Sequence, residues 1–167
     1  MKIVVLGIDH KYQACDPGLK ALVTRAVQDY EVTLMAEENR LMSNTVARDV
    51  AAAAGTRWLQ IDMSIEERIK AGIQQKLEQR LSDDAPIHFD SDGEAYMEPR
   101  YAPREDGIRE HHWLDRIEDA AEAGTALIVC GFVHLNPFSE KVEKRGHSVI
   151  AKLVYPDCVR QLKIELF

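Results

Sequence analysis

The chain has little cysteine, and what it has is poorly spaced for chemistry. Only Cys15, Cys130 and Cys158 occur in 167 residues. An odd number of widely separated cysteines argues against a disulfide framework, and no pair has the close CxxC spacing of a zinc ribbon. The reducing cytosol is therefore the expected compartment. Long apolar runs are missing as well. Nothing approaches the ~20 apolar residues of a membrane span. The opening run "KIVVLGI" is too short for a secretory signal and has no small-residue cleavage site after it. We expect a cytoplasmic protein with no membrane partner. Positive charge is in deficit: 21 Lys and Arg against 28 Asp and Glu leave −7. Phosphate backbones demand basic surface, so nucleic acid is not an expected partner, although "YAPREDGIRE" still gathers arginines. Two glycine signatures are also lacking. "VLGIDHKYQ" is not GxGxxG and "GLKALV" has no phosphate-loop pattern, which counts against a dinucleotide-binding domain.

What remains is ordinary globular material. Apolar residues make up 46% and charged residues 29%, a soluble balance, and the length suits one domain over residues 1–167. "KIVVLGI" is β-branched and continuously apolar, the pattern of a strand buried on both faces. Asp16-Pro17 is a helix start, and apolar positions 19, 22, 23, 26 and 27 make the stripe behind it. "EVTLMAEE" reads as a second strand. "SNTVARDVAAAAG" reads as a helix capped by Ser43 or Asn44 and stopped by Gly55. "TRWLQID" is a third strand, and "SIEERIKAGIQQKLEQRLSDD" opens with a Ser64–Glu67 capping box into a long polar helix. Residues 82–103 are rich in Asp, Pro and Gly and predict a long loop or lid. A helix follows in "REDGIREHHWLDRIEDAAEAG", a strand in "TALIVCGF", a short helix in "NPFSEKVEKRG" and a strand in "HSVIAKLVYP". The tail "VRQLKIELF" suits a strand or a short helix. Strand and helix alternate, so we expect an α/β layered domain: a mostly parallel sheet of about five strands flanked by helices.

The functional signal is a repeated strand ending. "GIDH" and "GFVH" each close an apolar run with Gly-x-x-His, giving Gly7 with His10 and Gly131 with His134. Ligands of parallel α/β sheets bind outside the carboxyl ends of the strands. That edge also receives Asp9, the pair Glu37 and Glu38, and Asp62. Glycine there lets the backbone turn sharply or a ligand approach closely. Two imidazoles and a carboxylate form a plausible divalent-metal set, His10, His134 and Glu37, with open positions for water. Without a metal, the same groups supply a general base and an orienting carboxylate. Adjacent strand residues face opposite ways, so only one of Glu37 and Glu38 points at the site; Glu37, directly after the apolar run, is preferred. Arg109 is either a clamp for developing negative charge or a surface arginine in an ion pair. Of His111 and His112, His112 is preferred for the site because it lies a turn beyond Arg109. Asp62 partners an imidazole or caps the next helix. Trp113 and Cys130 read as core.

These residues also resemble a family. "GIDH", "LMAEENR", "GIREHHWLDRI" and "GFVH" follow the order of the TraB/Tiki superfamily, which includes erythromycin-esterase-like and ChaN-like proteins. That superfamily has one Gly-x-x-His closing the first strand and another closing a late strand. Between them come a glutamate after the second strand and a helical arginine. The resemblance covers residues 1 to about 155 and implies roles for His10, Glu37 or Glu38, Arg109 and His134, with Gly7 and Gly131 beside them. It departs where several members carry asparagine after the arginine; here the residue is Glu110. Tiki-like members imply metal-dependent proteolysis, erythromycin esterases a histidine base, and ChaN-like members haem binding. Two expectations follow. One is a small hydrolase of a small-molecule or peptide substrate, with Gly7, Gly131, His112 and Asp62 near the substrate and a divalent metal optional. The alternative is a non-enzymatic module that binds haem or another small ligand. A homodimer is compatible with the amphipathic helices.

Overall fold

The computed structural model describes residues 1–39, 44–73, 103–121 and 124–155, together with the backbone of 88–89 and 95–96. The strands are β1 (Lys2–Ile8), β2 (Val32–Glu37), β3 (Arg57–Gln60), the two-residue β4 (His88–Phe89) and β5 (Ala95–Tyr96), β6 (Thr125–Gly131) and β7 (Ser148–Val154). The helices are α1 (Pro17–Asp29), α2 (Val46–Ala54), α3 (Ile65–Lys70), α4 (Pro103–Ala120) and α5 (Leu135–Lys144). Five strands form one sheet in the order β3-β2-β6-β1-β7, and every pairing in it is parallel. This is the α/β sheet flanked by helices that the alternating pattern predicts.

Strand periodicity divides the core in two. Successive side chains point to opposite faces. Val4, Leu6 and Ile8 of β1 therefore join Leu127 and Val129 of β6 under α1 and α2. Ile3 and Val5, with Ala126, Ile128 and Cys130, pack on the other face against α4 and α5. The central strands β1 and β6 are buried along nearly their whole length, while edge strand β7 alternates between exposed and half-buried.

Helix ends follow their local chemistry. The Asp16 carboxylate accepts the Leu19 N–H at 2.7 Å ahead of Pro17. Ser64 and Glu67 close both bonds of the capping box. Helix α2 departs from expectation: its cap is Thr45, whose hydroxyl accepts the Arg48 N–H. The long polar helix predicted from Ser64 also needs correction. α3 stops at Lys70, where the chain turns through Gly72 at φ 72°; residues 74–87 lie outside the described part. Within the predicted 82–103 loop, β4 and β5 pair antiparallel, and the rest of that segment, apart from Pro103 at the start of α4, is outside the description, as is the tail from residue 156.

The connections place the site. β6 is inserted between β2 and β1, and the chain then crosses to β7 on the far side of β1. The carboxyl ends of β2, β6 and β1 are thus adjacent at the point where the winding changes sides, where sheets of this kind bind ligands.

Candidate functional site

Each Gly-x-x-His is a strand end followed by one turn of 3-10 helix. After β1, Asp9 accepts the Lys11 N–H at 3.1 Å and caps the turn His10–Tyr12. After β6, the turn Phe132–His134 runs directly into α5. Glu38 follows β2, and its N–H donates to the Val129 carbonyl at 2.9 Å. His10, His134 and Glu38 therefore come from three neighbouring strands.

Glu38 is the centre. Its Oε2 lies 3.5 Å from His10 Nε2 and accepts the Gly131 N–H at 2.8 Å. Its Oε1 lies 3.8 Å from His134 Nε2 and accepts from Arg109 Nη2. Gly131 shows how close the rings are. A Cβ there would stand 2.9 Å from His10 Nε2, 3.4 Å from Glu38 Oε2 and 3.5 Å from His134 Cδ2. The glycine leaves room for both imidazoles around one point. A Cβ on Gly7 would meet the Phe132 backbone at 3.0 Å, so that glycine packs the two turns together and does not reach the pocket.

Glu38, and not the preferred Glu37, is the glutamate beside both histidines. Glu37 is fully buried and reaches His10 only through Gln13. Its carboxylate accepts from Thr45 Oγ1 at 2.6 Å, Trp58 Nε1 at 3.0 Å and Gln13 Nε2 at 3.0 Å. Strand pairing ends at Glu37, so the side chain facing the strand-end pocket is the next one, Glu38. Burial raises the Glu37 carboxyl above its ordinary range, against the three hydrogen bonds that oppose it. Burial acts to raise Glu38 too, but His10, Arg109 and His134 outweigh it and hold this carboxyl well below the usual range.

His10 is half exposed. Its Nδ1 lies 2.8 Å from Gln13 Oε1. Burial works to lower this imidazole, but Glu38 and Gln13 outweigh it, and the net shift is upward. His134 is 3% exposed. Its Nδ1 lies 2.8 Å from Glu110 Oε1, and Lys141 Nζ donates to Glu110 Oε2 at 2.6 Å.

Arg109 is a hub rather than a clamp. Asp106, Arg109, Glu110 and Trp113 share one face of α4 at helical spacing. From that face Arg109 donates Nε and Nη2 to Asp62 Oδ1, both at 3.2 Å, and Nη1 to Asp106 Oδ1 at 3.1 Å. Nη1 also faces His134 Nε2 at 3.4 Å. With Nη2 on Glu38 as well, the guanidinium is spent on protein partners and is 6% exposed. Burial opposes its charge, but Glu38, Asp62 and Asp106 more than restore it. Asp62 does not cap α3, whose cap is Ser64. It accepts from Arg68 Nη2 at 2.5 Å and from Trp113 Nε1 at 3.2 Å as well as from Arg109.

His112 is not at the site. Three positions beyond Arg109 is roughly 60° further round the helix, and there the ring faces α3, 3.7 Å from Glu67 Oε1. Burial and Arg116 lower its imidazole. Trp113 is core, packed edge-on to His134 with centroids 4.9 Å apart, and Cys130 is buried with its thiol pushed up by burial. The sequence reading missed Gln13, Glu110 and Lys141. Only Glu110 had a signal, as the departure from the family's asparagine.

The donor set does not fit a divalent cation. Arg109 puts a fixed positive charge on Glu38 Oε1 and beside His134 Nε2, the atoms a cation would need. Glu37, the expected third ligand, has its carboxylate occupied by Thr45, Trp58 and Gln13. No group of three or more His, Cys, Asp or Glu among the described residues is arranged to hold a metal. The buried His134 ring, with Nδ1 on Glu110 and Nε2 facing Arg109, is not set up as an axial haem ligand. Among the described residues no helix is long and apolar enough to cross a membrane. The chain matches no protein-family model, no curated protein and no solved structure.

Proposed function

We propose that the chain is a hydrolase of ester or peptide bonds that works by histidine acid–base chemistry. The observation carrying this reading is that His10, half open to solvent, faces the buried Glu38 carboxylate at 3.5 Å while Gln13 holds its other nitrogen. A base of this kind takes a proton and becomes an imidazolium that Glu38 stabilises. In the step we envisage, a water oxygen bonds to the substrate carbonyl carbon and gives its proton to His10 Nε2. The intermediate then collapses, the C–O or C–N bond breaks, and the leaving atom takes that proton from His10. His134 is too enclosed to meet substrate and holds the Arg109–Glu38 pair in place. The resemblance to the TraB/Tiki superfamily supports hydrolysis as the reaction class, with the erythromycin-esterase-like histidine base closer to this donor set than metal-dependent proteolysis.

The test is a panel of ester, peptide and phosphodiester substrates run with and without EDTA. We expect EDTA-insensitive ester or peptide cleavage that falls by roughly 10²–10⁴-fold in His10→Ala, the usual share of a general base. No turnover by the parent protein on any substrate, or an unaffected His10→Ala, would overturn the reading.

A further inference from the structure

Two buried hydrogen-bond chains approach the site from opposite sides of the sheet edge, and they do the same thing. On one side Gln13 is 3% exposed. Its amide nitrogen donates to Glu37 Oε1 at 3.0 Å and to the Glu38 carbonyl at 2.9 Å. Both partners are acceptors, so the amide cannot be turned over without setting oxygen against oxygen. Its oxygen must then be the atom facing His10 Nδ1 at 2.8 Å, and an oxygen there requires a proton on Nδ1. Glu37 is fixed in its turn by Thr45 and Trp58. On the other side the Glu110 carboxylate, held by Lys141, faces His134 Nδ1 at 2.8 Å. It accepts only, so again the proton belongs on Nδ1. Each ring has its close acceptor at Nδ1, 2.8 Å away, and the Glu38 carboxylate only at 3.5 Å and 3.8 Å from Nε2, so on each neutral ring the proton goes to Nδ1 and the nitrogen left over, Nε2, faces Glu38. For His134 this suits Arg109 Nη1, which points an N–H at Nε2 from 3.4 Å.

We propose that Gln13 and Glu110 are positioning residues that fix both imidazoles as the Nδ1–H tautomer, with their basic nitrogens converging on one carboxylate. A ring's tautomer is set by the partner of its other nitrogen. Here the partner of His10 is a neutral amide and that of His134 is an ion-paired carboxylate. The half-exposed ring therefore keeps a lone pair aimed at the pocket, and its protonated form gains Glu38. The buried ring keeps a lone pair that receives Arg109. The catalytic consequence rests on the hydrolase reading above; the tautomers themselves do not.

The test is long-range ¹H–¹⁵N correlation of the histidine rings in the intact protein, above the titration of both rings. We expect a pyrrole-like Nδ1 and a pyridine-like Nε2 for His10 and His134 alike. In Gln13→Leu the acceptor at Nδ1 is gone and Glu38 becomes the best acceptor left, so the His10 pattern inverts to Nε2–H while that of His134 stays. Glu110→Leu moves the His134 pattern, and Glu110→Gln, whose amide oxygen still accepts, restores it. An Nε2–H pattern for either ring in the parent protein overturns the proposal without any variant. So does a His10 pattern that ignores Gln13→Leu. A parent protein with no hydrolase activity but with both Nδ1–H signatures would sink the reaction and leave the positioning intact.

Discussion

The smallest unit that matters is a single absent methyl. An alanine at position 131 is acceptable to the backbone, at φ −55° and ψ 137°, but its Cβ would press on His10 Nε2 at 2.9 Å. The half-exposed His10 ring is the piece free to yield. Gly131→Ala should therefore cost only about 1 kcal/mol, the low end for overpacking, yet turn His10 away from Glu38. Urea unfolding checks the first part, and loss of the upward shift of the His10 titration checks the second. Glu38 is a different case. Glu38→Gln keeps the shape and removes the charge that faces Arg109 and both rings. Breaking a buried pair costs about 3–5 kcal/mol; Asp62 and Asp106 remain on Arg109, so we expect the lower end, read from the same unfolding curves. At this scale the sequence was only partly legible. Apolar runs ending in Gly-x-x-His marked the two histidines, because strand ends and glycines leave a local trace. The choice of Glu38 over Glu37 did not, because it depends on where pairing stops, which neighbouring strands decide.

At the scale of the element, Thr45 joins two functions. Its hydroxyl caps α2 and also donates to Glu37 Oε2 at 2.6 Å. Removing a cap costs about 1 kcal/mol, and losing one hydrogen bond at an oxygen that Trp58 still serves costs about 1 kcal/mol more. Thr45→Ala should thus destabilise by roughly 2 kcal/mol in chemical denaturation, where Thr45→Ser should cost much less. Helix starts and stops were readable wherever a short polar side chain or a glycine acts on its own backbone: Asp16, Ser64 with Glu67, Gly55. Thr45 was passed over for Ser43 or Asn44 because three capping residues in a row look alike until the helix is placed against β2. The inward face of α4 shows the same limit. Trp113 read as core, and Leu114 and Ile117 are buried with it, yet the same helix also carries Asp106, Arg109 and Glu110 inward. Charges on an apolar face read as errors of pattern until their partners on β2, β3 and α5 are seen. Distance along the helix favours His112 for the site, but its angle round the helix places it beside Glu67 of α3.

Over the whole molecule, the parallel order was legible because alternating strands and helices leave few topologies. The insertion of β6 between β2 and β1 was not, and it is what unites residues 10, 38 and 134. The united charges set the response to pH. Glu38 lies below its ordinary value, so its contribution is complete above about pH 4.5 and is lost as pH falls through the folded value. His10 lies above its ordinary value, so its contribution is complete below about pH 6.5 and is lost as pH rises through the folded value. The pair supports the fold most between those limits. A thermal unfolding midpoint should therefore hold between those limits and decline as pH rises above about 6.5 through the folded His10 value. In His10→Asn that alkaline decline should be shallower.

The central claim is that His10 and His134 share Glu38, and a ring-by-ring NMR titration of Glu38→Gln tests it directly. Removing the carboxylate leaves burial, the largest cause, and Arg109 lowering His10, with only the smaller effect of the Gln13 hydrogen bond raising it. The account predicts that the His10 midpoint falls from above its ordinary value to below it, and that the ring signals of His134 move in the same variant. A His10 midpoint unchanged by Glu38→Gln, with His134 undisturbed, would contradict it.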